Sequence, residues 1–293
     1  MGITWTPCFF LPPESKMSKI VLITGASRSL GLAITTSLLS SSPSGSTIYL
    51  TSRSPAAGHA ALASIPAALK TQSTVQYLPL DITDDKSIDA VAAVLQVRHG
   101  RLDVLVNNAG VELDIGAKAE GMGRDEVVRR TLATNYYGPL RASEKLLPLI
   151  PPGGRIVFVS STAGHLNNFG SDRVRAQIAN PNLTREGLTQ LVARFADGEK
   201  GWPRSAYCAS KAAQTALAGV LARERPDIAV NACCPGWVDT EMGRHAGRKP
   251  PKTCEEGARI PVRLAVGDIG DVNGKFWENK DMASGAWGEV AAW

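Results

Sequence analysis

Tyr207 and Lys211 stand four residues apart in the run Tyr207-Cys208-Ala209-Ser210-Lys211. On a helix that spacing puts two side chains on one face, where they can meet. A tyrosine alone is a poor proton donor near neutrality, because its unperturbed pKa is about 10. An ammonium beside it favours the phenolate and lowers that value. A phenol tuned in this way can protonate a carbonyl oxygen. Ser160-Ser161 closes an apolar run and offers a hydroxyl that can hold the same oxygen. Y-x-x-x-K is a frequent accident, so its weight depends on the elements that place it.

From residue 19 onward, apolar β-branched runs alternate with helical patterns. Strands are expected at 19–25, 47–51, 74–80, 102–106, 155–160, 228–234 and 274–277. Helices are expected near 29–40, 56–70, 84–98, 124–147, 205–225 and 254–265. Strands that are apolar throughout belong to a parallel sheet covered on both faces. The expected fold class is therefore α/β, a single doubly wound Rossmann-type domain over 18–293 with about seven strands. Ligands of such sheets bind beyond the carboxyl ends of the strands, the edge where the serine pair falls. Residues 165–204 interrupt the alternation, with an amphipathic piece near 183–195, and are expected to be partly helical and functional. Residues 1–17 read as a disordered leader without a secretory signal, and Met17 is an alternative start.

The first strand ends in Thr24-Gly25-Ala26-Ser27-Arg28-Ser29-Leu30-Gly31 and runs directly into a helix. Glycines there let the backbone approach a pyrophosphate, and the helix N-terminus favours its negative charge. The second strand ends in Thr51-Ser52-Arg53 without a carboxylate for a ribose 2′-hydroxyl. Arg53 and Arg28 can instead converge on a 2′-phosphate, which a planar guanidinium bonds bidentately. That favours NADPH/NADP+ over NADH. Asn107-Asn108-Ala109-Gly110 follows the fourth strand, where amide side chains can tie adjacent strands together.

In order, TGASRSLG (24–31), NNAG (107–110), NYYG (135–138), SSTAG (160–164), YCASK (207–211) and PGWVDT (235–240) resemble the short-chain dehydrogenase/reductase family. The resemblance covers roughly residues 18 to 277. The segment NACCPGWVDTEM (231–242), the EEGA of 255–258 and the insertion look most like its carbonyl reductases. The resemblance implies Tyr207 as acid/base, and Lys211 as its partner and binder of the nicotinamide ribose. It implies Ser161 as holder of the substrate carbonyl, and Asn135 as part of a water-mediated proton relay to Lys211. It places the cofactor against Gly25, Ser27, Arg28, Ser29, Leu30, Gly31, Arg53, Asn108, Ala109 and Gly110, with Asp81 and Ile82 flanking the adenine. Pro235, Gly236, Val238 and Thr240 would meet its nicotinamide end, and Trp237 would line the substrate pocket. Two departures stand out. Ser29 occupies the turn's usual middle glycine, and the Ser161–Tyr207 spacing is far longer than in most members. The carbonyl-reductase-like branch has a comparable insertion, which covers a face used elsewhere for oligomerisation, so a monomer is expected.

Composition narrows the partners. The 293 residues carry a formal charge of +5 without basic runs, so nucleic acid is not implied. No apolar run is long enough to span a bilayer. The five cysteines and four histidines form no metal-ligand spacing and no disulfide framework. They read as free thiols in a reducing, cytoplasmic setting. The expected partner is a small-molecule carbonyl substrate, reduced by NADPH. Open beside it are oxidation of an alcohol, isomerisation or cyclisation with NADP(H) retained, and a non-catalytic NADP(H)-binding regulator.

Overall fold

A computed structural model describes residues 17–115 and 121–293 of the chain. The order of elements is β1 (Ile20–Ile23), α1 (Ser29–Ser41), β2 (Thr47–Ser52), α2 (Pro55–Ser64), β3 (Thr74–Pro79), α3 (Asp85–His99) and β4 (Val104–Asn107). Then follow α4 (Arg124–Leu132), α5 (Gly138–Leu146), β5 (Arg155–Val159), α6 (Asp172–Ile178), α7 (Arg185–Ala196) and α8 (Ala206–Glu224). The chain closes with β6 (Ala229–Cys233), α9 (Cys254–Val266), β7 (Phe276–Glu278) and β8 (Glu289–Ala291). These strands form one sheet in the order β3-β2-β1-β4-β5-β6-β7-β8, parallel as far as β7.

The order reverses between β1 and β4, which opens a crevice beyond their carboxyl ends. The strands bury both faces, as their continuous apolar runs require: β1 and β4 are buried throughout. One core packs α3, α4, α5, α7 and α8 against the sheet through residues such as Leu105, Phe158 and Leu217. The other packs α1 and α9 on the opposite face through Ile34, Leu38 and Ile260.

The sheet, expected to have about seven strands, has eight, because β8 adds an antiparallel edge on β7. Two helix expectations are corrected. The helix expected over 56–70 stops at Ser64, and Pro66 precedes a separate 3-10 turn at Ala67–Lys70, since proline removes a donor and restricts the residue before it. The helix expected over 124–147 is interrupted by a π-helical turn at Ala133–Tyr137. The insertion is helical, as expected. Its α7 buries Leu188, Leu191, Val192 and Phe195, and Tyr136 Oη lies 3.0 Å from Thr189 Oγ1. Arg185 reaches both Glu144 on α5 and Glu224 on α8, so the insertion is laid over those two helices. The leader expected over 1–17 lies, but for Met17, outside the described residues.

Candidate active site

A cleft of about 490 Å³ opens at the switch point. Every expected site residue but Asn135 lines it: the glycine turn with Arg28 and Ser29, Arg53, Asp81 and Ile82, the Asn108–Gly110 loop, Ser161, Tyr207, Lys211 and the Pro235–Thr240 segment. Residues from six strand ends therefore converge although the sequence scatters them.

The glycine turn is shaped by close approach. Gly25 has φ of 64°, and a Cβ there would stand 2.9 Å from Ala109 Cα. A Cβ on Gly31 would lie 2.5 Å from Gly25 O and 2.6 Å from Asn108 Nδ2. Ser29, in the place of the family's middle glycine, is held at φ 48°, a left-handed conformation that costs an L residue roughly 1–2 kcal/mol. The first turn of α1 has no side-chain cap and no acidic residue. Its N–H groups are left for an anion, which is the feature a dinucleotide pyrophosphate needs. Asn108 ties the strands as expected, donating from Nδ2 to Thr24 O at 2.9 Å and Gly25 O at 3.0 Å.

At the adenosine end, Arg53 is exposed on the cleft wall. Arg28 is differently placed from its expected convergence with Arg53: its Nη1 meets Glu241 Oε2 at 2.6 Å across the cleft mouth. Asp81 is occupied by Thr83 N and Thr83 Oγ1.

At the reacting end, the serines divide their work. Ser160 Oγ is turned inward, donating to Lys211 O at 2.9 Å and meeting Thr215 Oγ1 at 2.8 Å. Ser161 faces the cleft, and its hydroxyl bonds to the Tyr207 phenol in the sense that favours the phenolate. Burial nevertheless dominates and pushes Tyr207 above its ordinary value near 10. The expected lowering by Lys211 is outweighed for a geometric reason. Lys211 Nζ stands 5.6 Å from the phenol ring centroid and donates to Val159 O at 2.8 Å and Gln214 Oε1 at 2.9 Å. Burial brings Lys211 itself down to about 8.

Asn135 is fully buried beside the cleft, in the π-helical turn. Its amide accepts from Val111 N and donates to Val111 O, each at 2.8 Å, and also donates to Ser210 Oγ at 3.0 Å. A Cβ at Gly110 would lie 3.4 Å from Asn135 Oδ1 and 3.6 Å from Lys211 Nζ, so the Gly110 backbone adjoins both side chains. Trp237 lines the cleft with its Nε1 donating to Gly243 O. His165 is not in the cleft; it lies against Phe276, 3.5 Å from Glu278 Oε2.

Some positioning groups have no local sequence signal. Asp114 Oδ1 accepts from Ala206 N and Oδ2 from Tyr207 N, each at 2.8 Å, and so caps the helix that carries Tyr207. Asp114→Ala is expected to destabilise the fold by about 1–2 kcal/mol, read by denaturant unfolding, since it strips a carboxylate from a helix N-terminus. Lys252 is 1% exposed and donates to Pro235 O at 2.7 Å. It pins the loop in which Gly236 sits at φ 84°, where a Cβ would meet Met282 O at 2.7 Å.

The short chain dehydrogenase family model matches residues 19–172 and 196–251. Short-chain dehydrogenase/reductase 1 of Saponaria officinalis is 36% identical over 90% of this chain and 95% of its own. Carbonyl reductase [NADPH] 3 of Mus musculus is 37% identical over 86% of this chain and 92% of its own. The solved structure of salutaridine reductase from Papaver somniferum superposes with a TM-score of 0.77 at 28% identity, covering 88% of this chain and 99% of that one. The sheet order, the glycine turn at its switch point and the Tyr207–Lys211 helix agree with these matches, and the chain belongs to the short-chain dehydrogenase/reductase family.

Proposed function

We propose that the protein reduces the carbonyl of a small ketone or aldehyde with NADPH, with Tyr207 as the proton donor. The observation that carries the reading is one cleft holding, at one end, Ser161, Tyr207 and Lys211 and, at the other, a glycine turn and an exposed arginine. The uncapped start of α1, the close glycine contacts and the absence of a carboxylate at the end of β2 suit a dinucleotide bearing a 2′-phosphate. When bound, that cofactor supplies the hydride to the carbonyl carbon.

The chain's own groups do the rest. Ser161 holds the carbonyl oxygen by its hydroxyl. Burial keeps Tyr207 protonated, the form a reduction needs, and the phenol gives its proton to that oxygen. Lys211, brought down to about 8, is poised to return the proton near neutrality. Asn135 fixes Val111 and stands with Lys211 about Gly110, where a water could relay the proton to Lys211. An acid set beside a carbonyl-holding hydroxyl gives a mere cofactor-binding regulator no advantage.

The helices of the insertion lie over α5 and α8, which supports a monomer. The described cysteines are free thiols, which supports a reducing compartment such as the cytoplasm. None of the described helices is long and apolar enough to cross a membrane. The direct test follows NADPH absorbance with a panel of cyclic and aromatic ketones. At least one should draw steady NADPH consumption, with NADH much the poorer donor; no consumption with any of them would sink the reading.

A further inference from the structure

The cleft also holds a carboxylate for which the reduction has no use. Glu112 follows the Asn107–Gly110 turn and accepts a 2.8 Å hydrogen bond from Asp114 N at Oε1. Asp114 is itself clamped to the first residues of α8, so the loop bearing Glu112 is tied to the helix bearing Tyr207. Among the described residues, its titratable neighbours are Asp114 on the same loop and Tyr207, Cys208 and Lys211 on α8. Lys211 is the one cation among them, and its ammonium is already held by Val159 O and Gln214 Oε1. Exposed apolar side chains also line the cleft. Ile115 and Met282 are 48% and 45% exposed there, and Trp237 lines it beside them.

We propose that Glu112 selects carbonyl substrates that carry a protonated amine on an apolar frame, pairing with the cationic nitrogen while Ser161 and Tyr207 hold the carbonyl oxygen. The inference rests on the reductase reading above and narrows its substrate class. A carboxylate drawn partly out of water recovers its lost solvation only from a polar or charged partner. Charge-assisted hydrogen bonds are about twice as strong as neutral ones, so an ammonium restores more than a hydroxyl does. The exposed Ile115 and Met282 side chains accept the apolar part of such a molecule.

The charge on Glu112 is gated by pH. Burial, aided by the neighbouring Asp114 carboxylate and opposed by the bond from Asp114 N, pushes it up to about 7. Glu112 is therefore neutral below that pH and anionic above it, and preference for a cation must grow as pH rises through 7.

The test uses two ketones of one shape, one with a tertiary amine that stays protonated between pH 6 and 8.5, the other with carbon in place of nitrogen. The ratio of their kcat/KM values is measured at both pH values, in the native enzyme and in Glu112→Gln, which keeps an acceptor for Asp114 N. The native ratio should be at least about tenfold at pH 8.5 and fall several-fold at pH 6, the size expected of one hydrogen bond to a charged group. In the variant it should collapse toward one and lose its pH dependence. A native ratio near one, or one that does not move with pH, overturns the inference whatever the variant does. So does a ratio that survives in Glu112→Gln. If neither ketone draws NADPH consumption while other ketones do, the inference fails and the reductase reading stands; if no ketone does, the reductase reading itself fails.

Discussion

Tyr207→Phe should cut kcat by about 10²–10⁴-fold, the contribution of a positioned general acid, while NADPH still binds. Phenylalanine keeps the ring and its packing, so the change isolates one hydroxyl. Ser161 Oγ still accepts from Ala163 N at 3.1 Å, which leaves it a partner when the phenol is gone. Folding stability should accordingly move by no more than about 1 kcal/mol, the net worth of one hydrogen bond. Lys211 is a poorer place to make the same cut, because its ammonium also holds Val159 O and Gln214 Oε1 in the core. Removing that ammonium would leave buried acceptors unpaired and confound chemistry with stability. Single-turnover and steady-state rates, paired with fluorescence titration of NADPH, separate the two effects. Normal turnover in Tyr207→Phe would take the proton donor's role from this residue.

Much of this site is readable in the chain because its signals are local. A glycine at φ 64° beside a strand end, the amides of Asn107-Asn108, and a tyrosine one helical turn from a lysine each declare a backbone shape or a shared face within a few residues. The apolar runs of β1, β4 and β5 declare a sheet buried on both sides in the same way. What stays hidden is what only folding creates. Asp114 caps a helix 93 residues away, and Arg28 finds Glu241 across 213 residues, distances at which no spacing rule operates. Strand β8 has three residues and an exposed face, too short to show a period of two. The π-helical turn around Asn135 does have a local cause, since Pro139, just past it, has no N–H to donate to the Asn135 carbonyl four residues back. The proton affinity of Tyr207 is misjudged from sequence. Spacing reveals the ammonium, but burial is a property of the whole fold, and burial wins.

Cofactor choice offers the second large effect, and Arg53→Asp should reverse or erase a preference for NADPH. Arg28 is engaged with Glu241, so any use of it on a phosphate must first give up that ion pair. Arg53, exposed on the cleft wall just past the last residue of β2, has no such exchange to make. Two parallel bonds from a guanidinium to a phosphate, each charge-assisted, are worth about 1.5–3 kcal/mol, or roughly tenfold to a hundredfold in affinity. Aspartate removes that gain, repels the 2′-phosphate, and provides an acceptor for the free ribose hydroxyl of NADH. The three act in one direction, so the ratio of kcat/KM for NADPH over NADH should fall by about 10²–10³-fold. Arg28→Ala should lower it far less, since part of what that arginine gives is already spent on Glu241. High salt should shrink the native preference and move the ratio of Arg53→Asp the opposite way, because screening weakens an attraction in the one and a repulsion in the other. An unchanged ratio in Arg53→Asp would move 2′-phosphate recognition away from the end of β2, and Arg28 would then have to leave Glu241 to supply it.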